Sequence, residues 1–268
     1  ENVRDELDVA LGRKEKGGYT FFDLGEDLVE EYRLKNGSFT YKNYRQILNR
    51  LKDFCEDRGK TFDWKDIDLD LFNELHTWLI SKNYSKNYVH SVIKKFKGFL
   101  NHANRRGHFN NYKYKEFSVS TEPTYNIYLT IEELEAIHDY DYSATPGLDE
   151  AADRFLLGAF SGMRFSDYSQ LTEKNLTDDG RFIYKDMQKV DGRVYVPVHW
   201  IVKEIIDKYR AKGKPLPGDI TNQNMNLHLK KMGEKAGIKS SFQKTYTKGK
   251  KKGTETFEKW QLITTHTA

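Results

Sequence analysis

The sequence predicts a mainly α-helical protein, because most of its apolar residues recur at the three- and four-residue spacing of helices. Four such segments follow one another in the first half of the chain. In the second half, further helical segments surround two short stretches rich in β-branched and aromatic residues, which the turn signal Asp191-Gly192 separates. We therefore expect a four-helix first domain and a mixed, mostly α second domain with a small antiparallel sheet.

Length and composition favour a folded protein of two domains. The chain has 268 residues, of which 31% are charged and 14% aromatic, a mixture too rich in aromatics for a disordered chain. Cys55 is its one cysteine, which excludes an internal disulfide and a cysteine-built zinc site. A reducing, cytoplasmic compartment is expected, and no apolar run in the sequence approaches the length of a membrane span.

Positive charge is concentrated in two windows that contain no Asp or Glu, at residues 75–115 and 235–254. The second window holds Lys239, Lys244, Lys248, Lys250, Lys251 and Lys252. Such clusters are typical of proteins that bind a polyanion, because neutralising phosphates releases counterions. The alternative is a solvated surface or a flexible basic loop, which we favour for residues 248–252 taken alone.

The first domain is predicted over residues 19–111, after a segment, residues 1–18, that suggests a linker or the tail of an upstream domain. Its second helix begins at Ser38 or Thr40, and Ser85 caps the fourth. The fourth helix buries one apolar stripe and leaves a polar face without acids, which could lie along a DNA groove. That face carries His90, Lys94, Lys97 and Asn101. Residues 112–124 are predicted to form an extended interdomain linker.

The second domain is predicted over residues 125–268, beginning with a capping box at Thr130 and Glu133. Its central feature is a buried helix that Gly162 ends, followed directly by Arg164 on a tight turn. Ser166 is expected to cap a second, short helix with Asp167 in its first turn. An arginine held in this way can grip a phosphate with two hydrogen bonds; equally, it can form a structural ion pair with Asp167.

The rest of the second domain is predicted as a hairpin and two helices. Residues 181–184 and 194–198 read as strands, so that Lys189 projects from the hairpin, with Lys185 as the second choice if the register differs. Helices follow at 197–210 and 222–235, the latter ended by Gly237. The lysine-rich window after it is expected to be a mobile loop over nucleic acid.

The string G-M-R-F-S-D, followed by S-Q-L-T-E-K-N-L, resembles the first active-site box of tyrosine recombinases, the phage integrase family, in the form found in Bacteroides-type mobile elements. The resemblance implies that Arg164 is the first catalytic arginine and Asp167 its supporting acid. It also implies that the hairpin lysine, Lys189, protonates the leaving 5′ oxygen. No metal and no cofactor are implied, since the family's nucleophile is a tyrosine that forms a covalent link to the DNA 3′ phosphate.

Residues 19–111 also resemble the family's SAM-like core-binding domain. On that resemblance the second and fourth helices carry most DNA contacts. The candidates are Thr40, Lys42, Asn43, Arg45, Lys86, Asn87, Tyr88, Lys94 and Lys97. The partners implied are double-stranded DNA, bound as by a clamp, and further copies of the chain in a tetrameric synapse, with no membrane.

The last residues, L-I-T-T-H-T-A, look like the start of the family's second box, H-x-x-R, whose histidine is His266. The sequence stops before the arginine of that box and before the position of the nucleophilic tyrosine. We therefore expect a catalytic domain incomplete at its carboxyl end, inactive as printed, from a site-specific recombinase. The alternative is a DNA-binding protein of the same fold that does not cleave DNA.

Overall fold

The computed structural model describes residues 19–35, 38–186, 192–214, 216–217 and 220–267. The chain divides into two compact units. The first unit comprises Glu1–Pro123 together with Thr245–Gly253, and the second comprises Thr124–Lys244 together with Thr254–Ala268. The inclusion of residues 245–253 in the first unit was not predicted from the sequence. The segment 1–18 lies outside the described residues.

The first unit contains the four predicted helices. They are α1 (Phe21–Lys35), α2 (Ser38–Arg58), α3 (Leu69–Ser81) and α4 (Lys86–Arg105). The side chain of Ser85 caps α4 by accepting a hydrogen bond from the amide of Tyr88 at 3.3 Å, as predicted. The core is strongly aromatic, with the ring of Phe21 meeting those of Phe96 and Phe99 edge-on.

The second unit is built around a buried helix, α6 (Pro146–Ser161), which contacts four other helices of the unit. These are α5 (Ile131–Asp139), α7 (Phe165–Tyr168), α8 (Trp200–Ala211) and α9 (Asn222–Lys235). The predicted capping box of α5 is present, with Thr130 and Glu133 each accepting the other's amide. Together the helices bury one apolar core. Because this core fixes the end of α6, the backbone of the residues that follow α6 is positioned as well.

An ion cluster ties α6 to α8. The ammonium of Lys208 lies 2.7 Å from carboxylate oxygens of both Asp149 and Asp153. Burial opposes the charge on Lys208, but the two carboxylates outweigh it and raise its pKa. Burial also raises the pKa of Asp153 despite its partner. Asp149 and Asp153 therefore both form ion pairs with Lys208 of the same chain.

Two short sheets complete the described part of the chain. β1 (Phe182–Asp186) pairs antiparallel with β2 (Arg193–Pro197), with Tyr184 opposite Tyr195, which confirms the predicted hairpin strands. α8 begins at Trp200 rather than at residue 197, because His199 accepts the amide of Ile201 and acts as the cap.

The lysine-rich window is not a loop. β3 (Ser241–Lys248) and β4 (Lys251–Glu258) pair in a second hairpin. β-branched and aromatic residues such as Thr245, Tyr246 and Thr247 favour strands here, and Gly249 supplies the positive φ of 57° that the tight turn needs. The prediction of a mobile loop rested on the charge of the window and overlooked these residues.

Two features are absent from the described residues. Among the described helices, none combines the length and apolarity needed to cross a membrane. Within the same residues, no three His, Cys, Asp or Glu side chains are grouped so that they could hold a metal ion.

Candidate functional site

Arg164 stands on a turn fixed from both sides. Gly162 ends α6 with a left-handed φ of 62°, as predicted, and the buried Met163 anchors the next position. Arg164 then takes the N-cap position of α7, and its carbonyl accepts the amides of Asp167 and Tyr168 at 2.8 and 2.9 Å. The side chain of Arg164 is exposed. A cationic group is thus presented to solvent from a backbone with little freedom.

Ser166 does not cap this short helix. α7 begins at Phe165, so Ser166 lies inside it and Arg164 occupies the cap position without a capping hydrogen bond from its side chain. The helix starts two residues earlier than its Ser-Asp pair suggested, and its buried last residue, Tyr168, packs against α6. Asp167 is only 1% exposed, so burial rather than the cap position determines its environment.

The turn is supported from beneath by a second arginine that sequence reasoning missed. Arg154, on α6, is 2% exposed and donates from Nη1 to the carbonyl of Tyr168 at 3.1 Å. The ring of Tyr168 packs so closely on α6 that a Cβ at Gly158 would lie 2.5 Å from it. Burial raises the pKa of the Tyr168 hydroxyl. The glycine within an apolar helix was the available sequence signal for this close approach.

His266 lies on a separate turn that α9 holds in place. The preceding residue, Thr265, is 4% exposed; its amide donates to Asn226 Oδ1 at 3.0 Å and its hydroxyl to Asn222 Oδ1 at 3.1 Å. Asn226 Nδ2 in turn donates to Asn222 Oδ1 at 2.7 Å. The amide of His266 donates to Thr264 Oγ1 at 3.2 Å. The imidazole itself is exposed.

The two asparagines were not predicted as site residues. Their spacing of four residues places them on the same face of α9, and this pattern was the only sequence signal for their role. What the sequence could not indicate is that the face meets the turn before His266. The backbone of that turn is now fixed by side chains about forty residues earlier in the chain.

A cavity of about 270 Å³ opens beside His266. Its lining comes from this turn, from residues near the start of the second unit and from β3, which contributes Lys244. Arg164 is not among the lining residues. The structure therefore brings Arg164 and Asp167 together on one turn, and His266 together with Lys244 in one cavity. If Arg164, Lys189 and His266 are the catalytic groups that the family resemblance implies, they share one phosphate-sized pocket in the complete enzyme, and that grouping stays a prediction.

The position predicted for the hairpin lysine, Lys189, lies outside the described residues, as does the segment 187–191 around it. Lys185, the second choice, lies on β1 opposite Val194 and is partly buried. Its strand position keeps it within the sheet rather than at the turn.

The polar face of α4 is occupied by residues 114–122 of the same chain. Asn87 exchanges two hydrogen bonds with the backbone of Glu122, at 3.0 and 2.8 Å. Lys97 donates from Nζ to the carbonyls of Lys115 and Phe117, at 3.0 and 2.5 Å, and burial lowers its pKa. His90 contacts the carbonyl of Val119 at 2.7 Å. The predicted linker therefore begins with a 3₁₀ turn, Lys113–Lys115, instead of being extended throughout, and the residues after that turn are bound along the helix.

Of the other DNA-binding candidates, some also have a partner within the protein and others do not show one among the described residues. Arg45 pairs with Glu26, and the hydroxyl of Tyr88 accepts from Arg50 at 3.3 Å. Lys42, Asn43 and Lys94 are exposed, whereas Thr40 and Lys86 are partly buried. The DNA contacts of all nine residues stay predictions. The exposed residues, Lys42, Asn43 and Lys94, are now the strongest candidates.

The comparisons with known proteins agree with this architecture. A family model described as the phage integrase SAM-like domain matches residues 20–119. Comparison with curated proteins gives no match. Among solved structures, a lambda integrase tetramer bound to a Holliday junction is 13% identical, with a TM-score of 0.64, over 89% of this chain and 75% of that chain.

Two further structures are similar. A lambda integrase dimer bound to a COC′ core site is 14% identical with a TM-score of 0.65, over 82% of this chain and 83% of that chain. The Tn1549 transposon integrase in complex with a circular intermediate DNA is 14% identical with a TM-score of 0.58, over 80% and 79% of the two chains. At these identities the likeness shows a shared fold.

Proposed function

Because residues 20–119 match the phage integrase SAM-like domain and the chain shares its fold with the lambda and Tn1549 integrases, we propose that the protein acts in site-specific DNA recombination. It binds double-stranded DNA, and in the complete enzyme it cleaves and rejoins strands through a phosphotyrosyl intermediate. Several copies assemble on the DNA as a tetrameric synapse.

The observation that carries this proposal is the turn of Arg164. The guanidinium of Arg164 is exposed while its backbone is fixed by Gly162, Met163 and the buried end of α7. This arrangement suits a group that must meet a phosphate in one geometry. A surface ion pair would not need such support. Arg154 contributes by holding the far end of the same turn.

In the proposed reaction a tyrosine oxygen attacks the scissile phosphorus, the phosphorus–O5′ bond breaks, and the protein becomes esterified to the DNA 3′ phosphate. Arg164 neutralises the nonbridging oxygens in the transition state. Lys189 donates the proton that the departing 5′ oxygen needs, and His266 assists proton transfer or contacts the phosphate. A 5′ hydroxyl of another strand reverses the ester. The nucleophilic tyrosine is assigned to no residue of this sequence.

Arg164→Ala in the complete enzyme tests the proposal. The substrate is a nicked duplex, selected from a library of junctions between mobile element and chromosome, and the nick traps the covalent protein–DNA adduct. We expect the adduct to form about 10²–10³-fold more slowly or not at all, because one charge-stabilising donor is lost. Duplex affinity should change little, since many other contacts hold the DNA. Arg164→Lys, the matched control, keeps the charge without the paired hydrogen bonds and should recover only part of the rate.

Two results would contradict the assignment. If Arg164→Ala reduced affinity and cleavage equally, the residue would have a structural role. If the unaltered complete enzyme bound junction DNA and formed no adduct, the second candidate, a DNA-binding protein of this fold without cleavage activity, would be favoured.

A further inference from the structure

The cavity beside His266 combines cationic, hydroxyl and aromatic groups that come from distant parts of the second unit. Lys244 enters from β3, Thr264 and His266 from the last described turn, and Tyr125 from the start of the unit. Its volume of about 270 Å³ is at the lower limit of the roughly 300–1,000 Å³ typical of small-molecule pockets. The space suits one phosphodiester with its sugar better than a larger ligand.

The polar side of the cavity is preorganised. Thr265 anchors the turn to α9 through Asn226 and Asn222, so the imidazole that follows it projects from a fixed backbone. Lys244 lies on a paired strand and is exposed. A lysine ammonium is a compact charge that suits a phosphate oxygen, and the imidazole can donate a hydrogen bond beside it.

The apolar side provides a surface for a nucleoside. Tyr125 is 71% exposed, and Phe242, two residues before Lys244 on β3, is partly buried in the wall of the same cavity. Residues two apart on a strand point to the same face. An exposed aromatic ring close to cationic groups is the arrangement by which proteins hold nucleic acid without selecting its sequence, because every base has a face that can stack.

We infer that this cavity is a binding site for one phosphodiester of the DNA backbone, with Lys244 and His266 contacting the phosphate and Tyr125 supporting the adjoining nucleoside. The inference rests on the proposed function and deepens it, since it adds Lys244 and Tyr125 to the residues that contact DNA. Lys244 is a binding residue here and takes no part in proton transfer.

The test follows the imidazole signals of His266 by NMR in the chain labelled with ¹³C,¹⁵N-histidine, with His266→Gln used to assign them. The probe is a thymidine dinucleotide, which has a single phosphodiester. We expect a saturable shift of the His266 signals. Lys244→Gln should weaken the fitted affinity about tenfold, the loss of one charge-assisted hydrogen bond, and Tyr125→Ala should weaken it by a smaller factor.

Lys239→Gln is the matched control, because Lys239 is an exposed lysine of the same basic window and is not among the residues lining the cavity. It should leave the affinity unchanged. Equal effects of the two substitutions would reduce the site to general charge attraction and overturn the inference. A shift with inorganic phosphate but none with the dinucleotide would also overturn it, because the site would then hold only a free anion.

A separate binding measurement distinguishes this inference from the proposed function. If the chain binds junction duplexes while the dinucleotide leaves the His266 signals unmoved, the cavity is not a phosphodiester site and the proposed function stands. If the chain binds neither probe, both fail together.

Discussion

The polar face of α4 and the lining of the His266 cavity each offer a lysine, a histidine and further polar side chains, and both lysines, Lys97 and Lys244, come from windows without acids. In the structure they differ. On α4, Asn87, His90 and Lys97 are engaged by the backbone of residues 115–122. Beside His266, the polar groups line open space of about 270 Å³.

The difference teaches that positive charge in a sequence marks two kinds of residue. One kind binds the protein's own carbonyl groups and stabilises the fold, as Lys97 does. The other is presented to a partner, as we propose for Lys244. A lysine that bridges two carbonyls is partly desolvated, which lowers its pKa and makes it a poorer phosphate ligand than an exposed one.

The largest effect is expected for Asn226→Ala, which removes the acceptor for the buried amide of Thr265. A buried donor without a partner costs about 1–3 kcal/mol. We expect the free energy of unfolding of the second unit to fall by that amount in urea titration, and the Thr265 amide to exchange faster with solvent. Asn224→Ala is the control, since Asn224 is exposed on the same helix; equal behaviour of the two variants would show that the network is dispensable.

A smaller effect is expected for Lys97→Met, which retains the unbranched chain and removes two hydrogen bonds to carbonyls. The first unit should lose about 1–2 kcal/mol of stability in urea, and the salt dependence of duplex binding should stay unchanged.

Lys94→Met is its counterpart, because Lys94 is exposed on the same helix. It should change stability by no more than about 0.5 kcal/mol and reduce the salt slope by about 0.9 if the residue neutralises one phosphate. Should Lys97→Met reduce the slope as well, the contrast between internal and presented lysines would be lost on this helix.

The smallest effect concerns pH and compares one histidine from each unit. Burial, aided by Arg106, lowers the pKa of His102 on α4 below its ordinary value of 6.5, although Glu31 opposes the shift. Burial and Lys231 lower the pKa of His228 on α9 likewise. In both cases the histidine of the unfolded state binds a proton at a higher pH than the same histidine in the folded state. The free energy of unfolding is therefore highest above pH 6.5, and it decreases as the pH falls from 6.5 towards the lowered pKa.

Urea titrations between pH 7.5 and 5 should therefore show a decline in stability for each unit. His102→Gln should flatten the decline of the first unit, and His228→Gln that of the second. If either substitution left the decline unchanged, another group would be responsible for the acid sensitivity of that unit.

Much of the fold was predictable because it depends on short-range signals. Ser85 caps α4, Thr130 and Glu133 form their capping box, and Gly162 ends α6, each through atoms within four residues. The resemblance to phage integrases, read from the box around Arg164, is confirmed by the SAM-like domain and the shared fold. The second hairpin was missed because the prediction gave more weight to the lysines than to the β-branched and aromatic residues between them.

The sequence by itself determined the main helices, the caps at Ser85 and Thr130, the family resemblance and the position of Arg164 directly after a buried helix. Tertiary structure alone decided that Lys97 binds the linker, that Asn222 and Asn226 fix the turn before His266, and that Lys244 shares a cavity with that histidine. The physical reason is range. A cap or an apolar stripe is specified by neighbouring residues, whereas the partner of a polar side chain depends on which distant segment the folded core brings against it.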